Sequence, residues 1–263
     1  MTAYYNEIEP YAAQWLRNLI AEKLIAPGIV DERSIEDVTP SDLEGFTQCH
    51  FFAGIGVWSY ALRQAGWPDD KPVWTGSPPC QPFSAAGKGV GFADERHLWP
   101  AFHHLIKQRK PQVVFGEQVA SKDGLAWFDL VQTDLEEANY AATAVDFCAA
   151  GVDSPNIRQR LFWVGNSNDQ STQGYGRPEQ IILPEGRENE ERHTIPPDVA
   201  ANIWSSWQAV KGADETTRII PAGYGKATHG NTGIVGRLRA YGNAINAEAA
   251  KTFIESFMEC RPC

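Results

Sequence analysis

A proline-rich segment surrounds the cysteine best suited to chemistry in this 263-residue chain. Cys80 follows two prolines and precedes a third in Gly76-Ser77-Pro78-Pro79-Cys80-Gln81-Pro82-Phe83-Ser84. Proline fixes its own φ and restricts the residue before it, so the segment predicts a stiff, non-helical loop after a strand over 72–76. Ligands of open α/β sheets bind at that strand edge. A thiolate held there can serve as the nucleophile of covalent catalysis.

Four further segments contain residues that could take part in catalysis or ligand binding. They are the glycine run Phe52-Ala53-Gly54-Ile55-Gly56, the acid of Gly116-Glu117-Gln118-Val119 after an apolar strand, the arginines of Pro155-Asn156-Ile157-Arg158-Gln159-Arg160, and Tyr241-Gly242-Asn243-Ala244-Ile245. The glycine run does not indicate a nicotinamide dehydrogenase, because Ser59 stands where the Gly-x-Gly-x-x-Gly spacing requires glycine.

Taken together, these segments resemble the motifs of the cytosine-C5 DNA methyltransferase family, above all Pro-Pro-Cys-Gln-Pro-Phe-Ser around Cys80. The resemblance implies methyl transfer from S-adenosylmethionine to C5 of a flipped-out cytosine in DNA, through a covalent Cys80–C6 adduct, with S-adenosylhomocysteine as product. It assigns Glu117 to the cytosine N3, Arg160 to O2 and Arg158 to support of the site. It also implies a loop that closes over the base and contains Gln81, Ser84 and Lys88.

The same resemblance implies a donor site. Ile8 and Phe52 would face the adenine, Glu7 would bind the ribose hydroxyls, and Asp37 with Val38 would meet the adenine edge. The remaining donor-site residues are expected to be Ala53, Gly54, Gly56, Pro79, Asn243 and Ala244. One departure concerns Gln118, which stands where the family usually has asparagine and whose longer side chain could shift the nucleophile loop.

The order of these motifs along the chain is unusual. In the family, two strands carrying the ribose and adenine acids separate the glycine loop from the nucleophile loop, yet here only 57–77 separates them. Motifs similar to the ribose and adenine segments stand instead at 6–12 and 36–38. We therefore predict a circular permutation, because a single crossover helix can join neighbouring parallel strands.

Alternating apolar patterns predict an α/β fold, namely a Rossmann-like methyltransferase sheet with helices on both faces and a small irregular target-recognition module. Strands are expected over 3–8, 47–53, 72–76, 112–115, 141–147 and 161–164 and within 29–38, and helices over 11–24, 57–65, 97–109, 124–138 and within 241–257. Residues 1–165 and 236–263 are expected to form the catalytic domain. Residues 166–235 form the recognition segment, which we expect to be partly loop or disordered.

Composition limits the remaining possibilities. The net charge of −10 argues against strong non-specific nucleic-acid binding, but 51–110 and 211–240 each carry +3. No apolar run is long enough for a membrane span, and the start lacks a signal-peptide pattern, so a cytoplasmic monomer acting on double-stranded DNA is expected, in the host cytoplasm if a phage encodes it. No metal site is expected. A tRNA cytosine-C5 methyltransferase and a non-catalytic relative remain alternatives, and a restriction, phage or regulatory role stays open.

Overall fold

The computed structural model describes residues 3–79, 98–152, 154, 157–167 and 243–260, and the backbone of residues 207–211 and 217–221. Of the predicted site residues, Cys80, Gln81, Ser84 and Lys88 lie outside the described residues, as does most of the predicted recognition segment. The chain divides into two units, of which one comprises 1–167 with 229–263 and the other comprises 168–228.

A seven-stranded sheet organises the first unit. Its strands are β1 (Ala3–Asn6), β2 (Gly28–Asp31), β3 (Gln48–Phe51), β4 (Val73–Gly76), β5 (Val113–Val119), β6 (Tyr140–Cys148) and β7 (Gln159–Ser167). Their order across the sheet is β2-β1-β3-β4-β5-β7-β6. The first four pairings are parallel, whereas β7 runs antiparallel to both of its neighbours. In the second unit, β8 (Trp207–Lys211) and β9 (Thr217–Pro221) form an antiparallel pair.

In the described residues, five helices connect or follow these strands: α1 (Pro10–Ala21), α2 (Val57–Gln64), α3 (Trp99–Arg109), α4 (Lys122–Glu137) and α5 (Ala247–Glu259). Side-chain caps fix three of their beginnings. The Glu9 carboxylate accepts a hydrogen bond from Ala12 N at 2.7 Å, and the Ser121 hydroxyl and the Asn246 side chain cap α4 and α5 in the same way. No helix in the described part of the chain is long and apolar enough to cross a membrane.

The core lies on both faces of the sheet because successive strand residues point to opposite sides. One face packs against α3 and α4 around Phe102 and Trp163, and the other packs against α2 and α5 around Phe115 and Phe253. Helix α1 covers Tyr5 on β1. The predicted mostly parallel sheet with helices on both faces is confirmed.

Two strand ends differ most from the sequence prediction. The strand expected within 29–38 ends at Asp31, because the Asp31 carboxylate accepts the backbone N–H of Arg33 at 2.9 Å and turns the chain into two 3₁₀ turns, Ile35–Asp37 and Pro40–Leu43. Strand β5 extends to Val119 rather than ending at 115, because β7 pairs with it along its whole length. Glu117 therefore lies within a strand.

Candidate active site

The carboxyl ends of five strands meet at one edge of the sheet. The strand pairing places Asp31, Asn6, Phe51, Gly76 and Gly116 in one row across β2, β1, β3, β4 and β5. The residues after this row include Glu7, Phe52 and Glu117, and the segment leading to Cys80 starts here too. The structure therefore brings most of the described candidate residues to the ligand-binding edge of an open α/β sheet.

Glu7 is held in place at this edge by two backbone groups. Its Oε2 accepts a hydrogen bond from Gly54 N at 2.7 Å, and its Oε1 accepts one from Glu9 N at 2.9 Å. Burial raises the pKa of Glu7, while the two backbone hydrogen bonds oppose that rise. Because each carboxylate oxygen can accept a second hydrogen bond, the group can still receive a pair of hydroxyls.

The glycine run forms a tight turn beside Glu7. Gly54 and Gly56 have φ of +55° and +81°, and Phe52 has φ of +51°. A Cβ added at Gly54 would meet no atom within 4 Å, so open space lies over this part of the loop. Ile8 is 63% exposed and follows the half-buried Glu7 directly, so an apolar surface lies next to the carboxylate. These features fit an adenosyl group, which has an apolar base and a hydroxylated ribose.

The predicted adenine-edge residues lie further from the strand end than the sequence suggested. Asp37 is exposed in the first 3₁₀ turn and Val38 is buried after it, six or more residues beyond the end of β2. Asp31 ends that strand instead, and its carboxylate accepts the Tyr4 hydroxyl at 2.7 Å and the Arg33 guanidinium at 2.7 Å. Burial of Asp31 raises its pKa, but these hydrogen bonds lower it more.

Sequence reasoning missed Asp31 because it extended the strand past this residue. The available signal was the acid directly after the apolar residues Ile29 and Val30, followed by Arg33 at the spacing of a turn.

The segment leading to Cys80 is anchored from the neighbouring strand. Gln118 Nε2 donates to the carbonyl oxygen of Pro78 at 3.3 Å, and Gln118 Oε1 accepts from Val119 N at 2.9 Å. The Gln118 side chain, which is longer than the asparagine usual at this position, therefore still reaches the segment that leads to Cys80. Pro78 is buried and Pro79 is exposed.

Glu117 and Arg160 form a largely buried ion pair at the same edge. Arg160 Nε lies 2.7 Å from Glu117 Oε1, and the two side chains are 21% and 11% exposed. Burial raises the pKa of Glu117, and the positive charges of Arg160 and Arg158 oppose this rise. The two arginines thereby keep the protonated and ionised forms of the Glu117 carboxyl closer in energy than burial alone would. This suits a group that gives and recovers a proton.

Arg158 connects this pair to the C-terminal segment. Its guanidinium NH2 donates to the carbonyl oxygen of Ala244 at 2.8 Å, and Asn246 Nδ2 donates to Ser154 Oγ at 3.1 Å. Burial and the neighbouring Arg160 lower the pKa of Arg158, while Glu117 raises it. Asn243 is exposed and Ala244 half-buried. The predicted donor-site residues 243–244 are thus tied to Arg158, directly before β7.

No group of three or more His, Cys, Asp or Glu side chains that could hold a metal ion occurs among the residues that the structure describes.

Sequence comparison relates the chain to DNA methylases. A sequence model described as C-5 cytosine-specific DNA methylase matches residues 68–218, which is more than half of the chain. The type II methyltransferase M.HhaI of Haemophilus parahaemolyticus is 27% identical over 186 residues, 65% of this chain and 56% of M.HhaI. The type II methyltransferase M.NlaX of Neisseria lactamica is 26% identical over 198 residues, 72% of this chain and 59% of M.NlaX. The matched parts cover less than two thirds of either relative.

Structural comparison agrees at the level of the fold. The methyltransferase EhMeth of Entamoeba histolytica aligns with 100% of this chain and 99% of its own at a TM-score of 0.50 and 13% identity.

Proposed function

The chain belongs to the C-5 cytosine-specific DNA methylase family, and from this we propose that it transfers a methyl group from S-adenosylmethionine to C5 of cytosine in DNA. The observation that carries the proposal is the Glu117–Arg160 pair at the sheet edge from which the segment to Cys80 departs. A buried carboxyl beside a guanidinium complements the N3 and O2 atoms of a cytosine ring.

Cys80 supplies the nucleophile in the first step. Its thiolate forms a bond to C6 of the cytosine, and the ring electrons then accumulate between C5 and N3. Glu117 gives its proton to N3, so the Glu117 O–H bond breaks as the N3–H bond forms. Arg160 binds O2 and stays paired with the resulting Glu117 carboxylate. The target base must leave the duplex stack to reach these groups.

Methyl transfer and release complete the cycle. The donor, when bound, supplies an electrophilic sulfonium methyl, and C5 attacks it, leaving the thioether S-adenosylhomocysteine. The C5 proton then passes to a base, the C5–C6 double bond re-forms and the Cys80 thiolate leaves C6. The N3 proton returns to Glu117, which restores the free enzyme.

We propose that the donor binds across the ends of β1 and β3. Glu7 receives the ribose hydroxyls, and Ile8 and Phe52 contact the adenine faces. Asp37 and Val38 are proposed for the adenine edge, and the strand-end position of Asp31 makes it a further candidate. The methionine end is proposed to lie against the remaining donor-site residues Ala53, Gly54, Gly56, Pro79, Asn243 and Ala244.

We further propose that the chain is a circular permutation of the family order. Supporting this, the glycine-loop strand β3 lies between β1, which ends at the Glu7 motif, and β4, which leads to Cys80. Helix α2 alone connects β3 to β4. The family match also begins at residue 68, after the glycine loop. We propose residues 166–235 as the target-recognition segment.

Double-stranded DNA is the proposed substrate because the family model that matches the chain is described as a cytosine-specific DNA methylase. The test incubates the protein with S-adenosylmethionine and unmethylated duplex DNA, or with an unmodified tRNA pool, and quantifies 5-methylcytosine by mass spectrometry. We expect 5-methylcytosine in DNA with the unaltered protein and none with Cys80→Ala. Cys49→Ala is the matched control, because Cys49 is a buried core residue on β3 whose pKa burial raises to about 12.

The same experiment separates the alternatives. Methylation of tRNA alone would replace the proposed substrate and keep the chemistry. Donor binding without methylation of either nucleic acid would favour a non-catalytic relative.

A further inference from the structure

Trp58 is a buried side chain that touches three parts of the candidate site at once. Its indole Nε1 donates a hydrogen bond to Ser77 Oγ at 3.0 Å. Its ring stacks on Phe115 with 6.0 Å between centroids and 15° between planes, and meets Phe162 edge-on at 5.9 Å. Only 5% of Trp58 is exposed, so these ring contacts fix its orientation.

The chain positions of these contacts connect separate motifs. Trp58 is the second residue of α2, which begins directly after Gly56 of the glycine run. Ser77 follows β4 and stands three residues before Cys80. Phe115 precedes Glu117 by two residues on β5, and Phe162 is the strand partner of Glu117.

Two prolines make the link between Ser77 and Cys80 stiff. Pro78 and Pro79 have fixed φ values, and each restricts the residue before it. A shift or rotation at Ser77 therefore also moves Cys80, because the two prolines between them leave little conformational freedom. The Trp58 hydrogen bond holds Ser77 from helix α2, whereas the Gln118 hydrogen bond holds Pro78 from the neighbouring strand β5.

We propose that Trp58 is a positioning residue that aligns the nucleophile segment with the glycine-loop helix and the strand of Glu117, through its hydrogen bond to Ser77. The proposal rests on the proposed function, in which Cys80 attacks the cytosine. Because the contact orients the nucleophile and does not bind the donor, its loss lowers kcat and leaves KM for S-adenosylmethionine nearly unchanged.

Trp58→Phe tests the proposal because it removes the indole N–H and retains an aromatic ring. Trp67→Phe is its matched control. Trp67 is also buried and meets Phe115 edge-on at 5.8 Å, but its Nε1–H donates to the carbonyl oxygen of Lys71 at 3.1 Å rather than to Ser77. Both variants lose one indole hydrogen bond beside the same phenylalanine.

Two measurements are made on the full chain. The first is kcat and KM for methylation of duplex DNA, and the second is the rate at which iodoacetamide alkylates Cys80, followed by peptide mass spectrometry. We expect Trp58→Phe to lower kcat roughly 3- to 10-fold, the worth of one hydrogen bond, and to change the Cys80 alkylation rate. Trp67→Phe is expected to change neither.

Ser77→Ala provides a second route that leaves the aromatic packing untouched. It is expected to reproduce the Trp58→Phe effect, and the double variant Trp58→Phe/Ser77→Ala is expected to be no worse than either single variant. Additive losses in the double variant, or equal effects of Trp58→Phe and Trp67→Phe, would overturn the proposal. If the unaltered protein methylates neither DNA nor tRNA, the proposed function fails, and the Cys80 alkylation rates still decide whether Trp58 acts through Ser77.

Discussion

Replacing Arg160 by glutamine is expected to make the stability of the fold more dependent on pH. Arg160 lies 2.7 Å from the Glu117 carboxylate, and both side chains are mostly buried. Burial raises the pKa of Glu117, and Arg160 opposes that rise, so the Glu117 pKa is raised further in Arg160→Gln. Above the unfolded-state pKa of about 4.3 and below the folded pKa, the native protein retains a proton that the unfolded chain has released. In that window the free energy of unfolding falls by about 1.36 kcal/mol per pH unit.

The pH range in which the native protein retains this extra proton is wider in Arg160→Gln. The width of this range sets the expected loss of stability. Near the unfolded-state pKa the variant should be less stable than the unaltered protein by about 1 kcal/mol, the worth of a lost hydrogen bond. At alkaline pH the deficit should approach about 3–5 kcal/mol, the cost of removing one partner of a buried ion pair. Arg158 stays close to Glu117 and favours the lower end of that range.

Urea unfolding followed by circular dichroism over acidic to mildly alkaline pH measures this deficit. Glu117→Gln combined with Arg160→Gln removes the titrating carboxyl, so the free energy of unfolding of the double variant should lack the fall with pH that Glu117 causes. Arg109→Gln breaks the exposed Arg109–Glu44 pair and should cost at most about 1 kcal/mol. An Arg160→Gln deficit that is the same at both ends of the pH range would refute the reasoning.

Three further variants test the site and its support. Ile8→Ala should raise KM for S-adenosylmethionine about tenfold and leave thermal stability unchanged, because Ile8 is 63% exposed without the donor. Gln118→Ala should lower kcat about 3- to 10-fold without weakening donor binding measured by calorimetry, because it removes the hydrogen bond to Pro78. Gly116→Ala should lower the free energy of unfolding by about 3 kcal/mol or more, because the added Cβ would lie 2.1 Å from the Trp163 ring; an unchanged melting temperature would contradict the packing described for β5.

The sequence predicted the sheet and its active edge because the motifs and the apolar strands occur together. Short apolar segments predicted over 47–53 and 72–76 place the candidate residues at strand ends, and parallel pairing then aligns those ends. The prediction that the glycine-loop strand neighbours the strand leading to Cys80 followed from the short stretch between them, because one crossover helix can join neighbouring parallel strands.

Specific side-chain hydrogen bonds and contacts between distant segments could not be predicted from the sequence pattern. The strand after 29 ends early because the Asp31 side chain binds the Arg33 backbone, a local hydrogen bond that periodicity does not report. Strand β5 continues through Glu117 because β7, more than forty residues later, pairs with it. The pairing of Trp58 with Ser77 joins residues 19 apart in the chain and carries no spacing signal.

The strand order also has a consequence for synthesis of the protein. Strands β1, β2 and β3 occupy one half of the sheet, and β4, β5, β7 and β6 occupy the other. The half that carries Glu7 and the glycine loop therefore emerges from the ribosome as a continuous piece, before any strand of the half that carries Glu117. Each half can pair its own strands as it appears, and β3 then offers its free edge to β4 through the eight-residue helix α2. Such an order keeps most strand partners close in the chain, which favours rapid pairing.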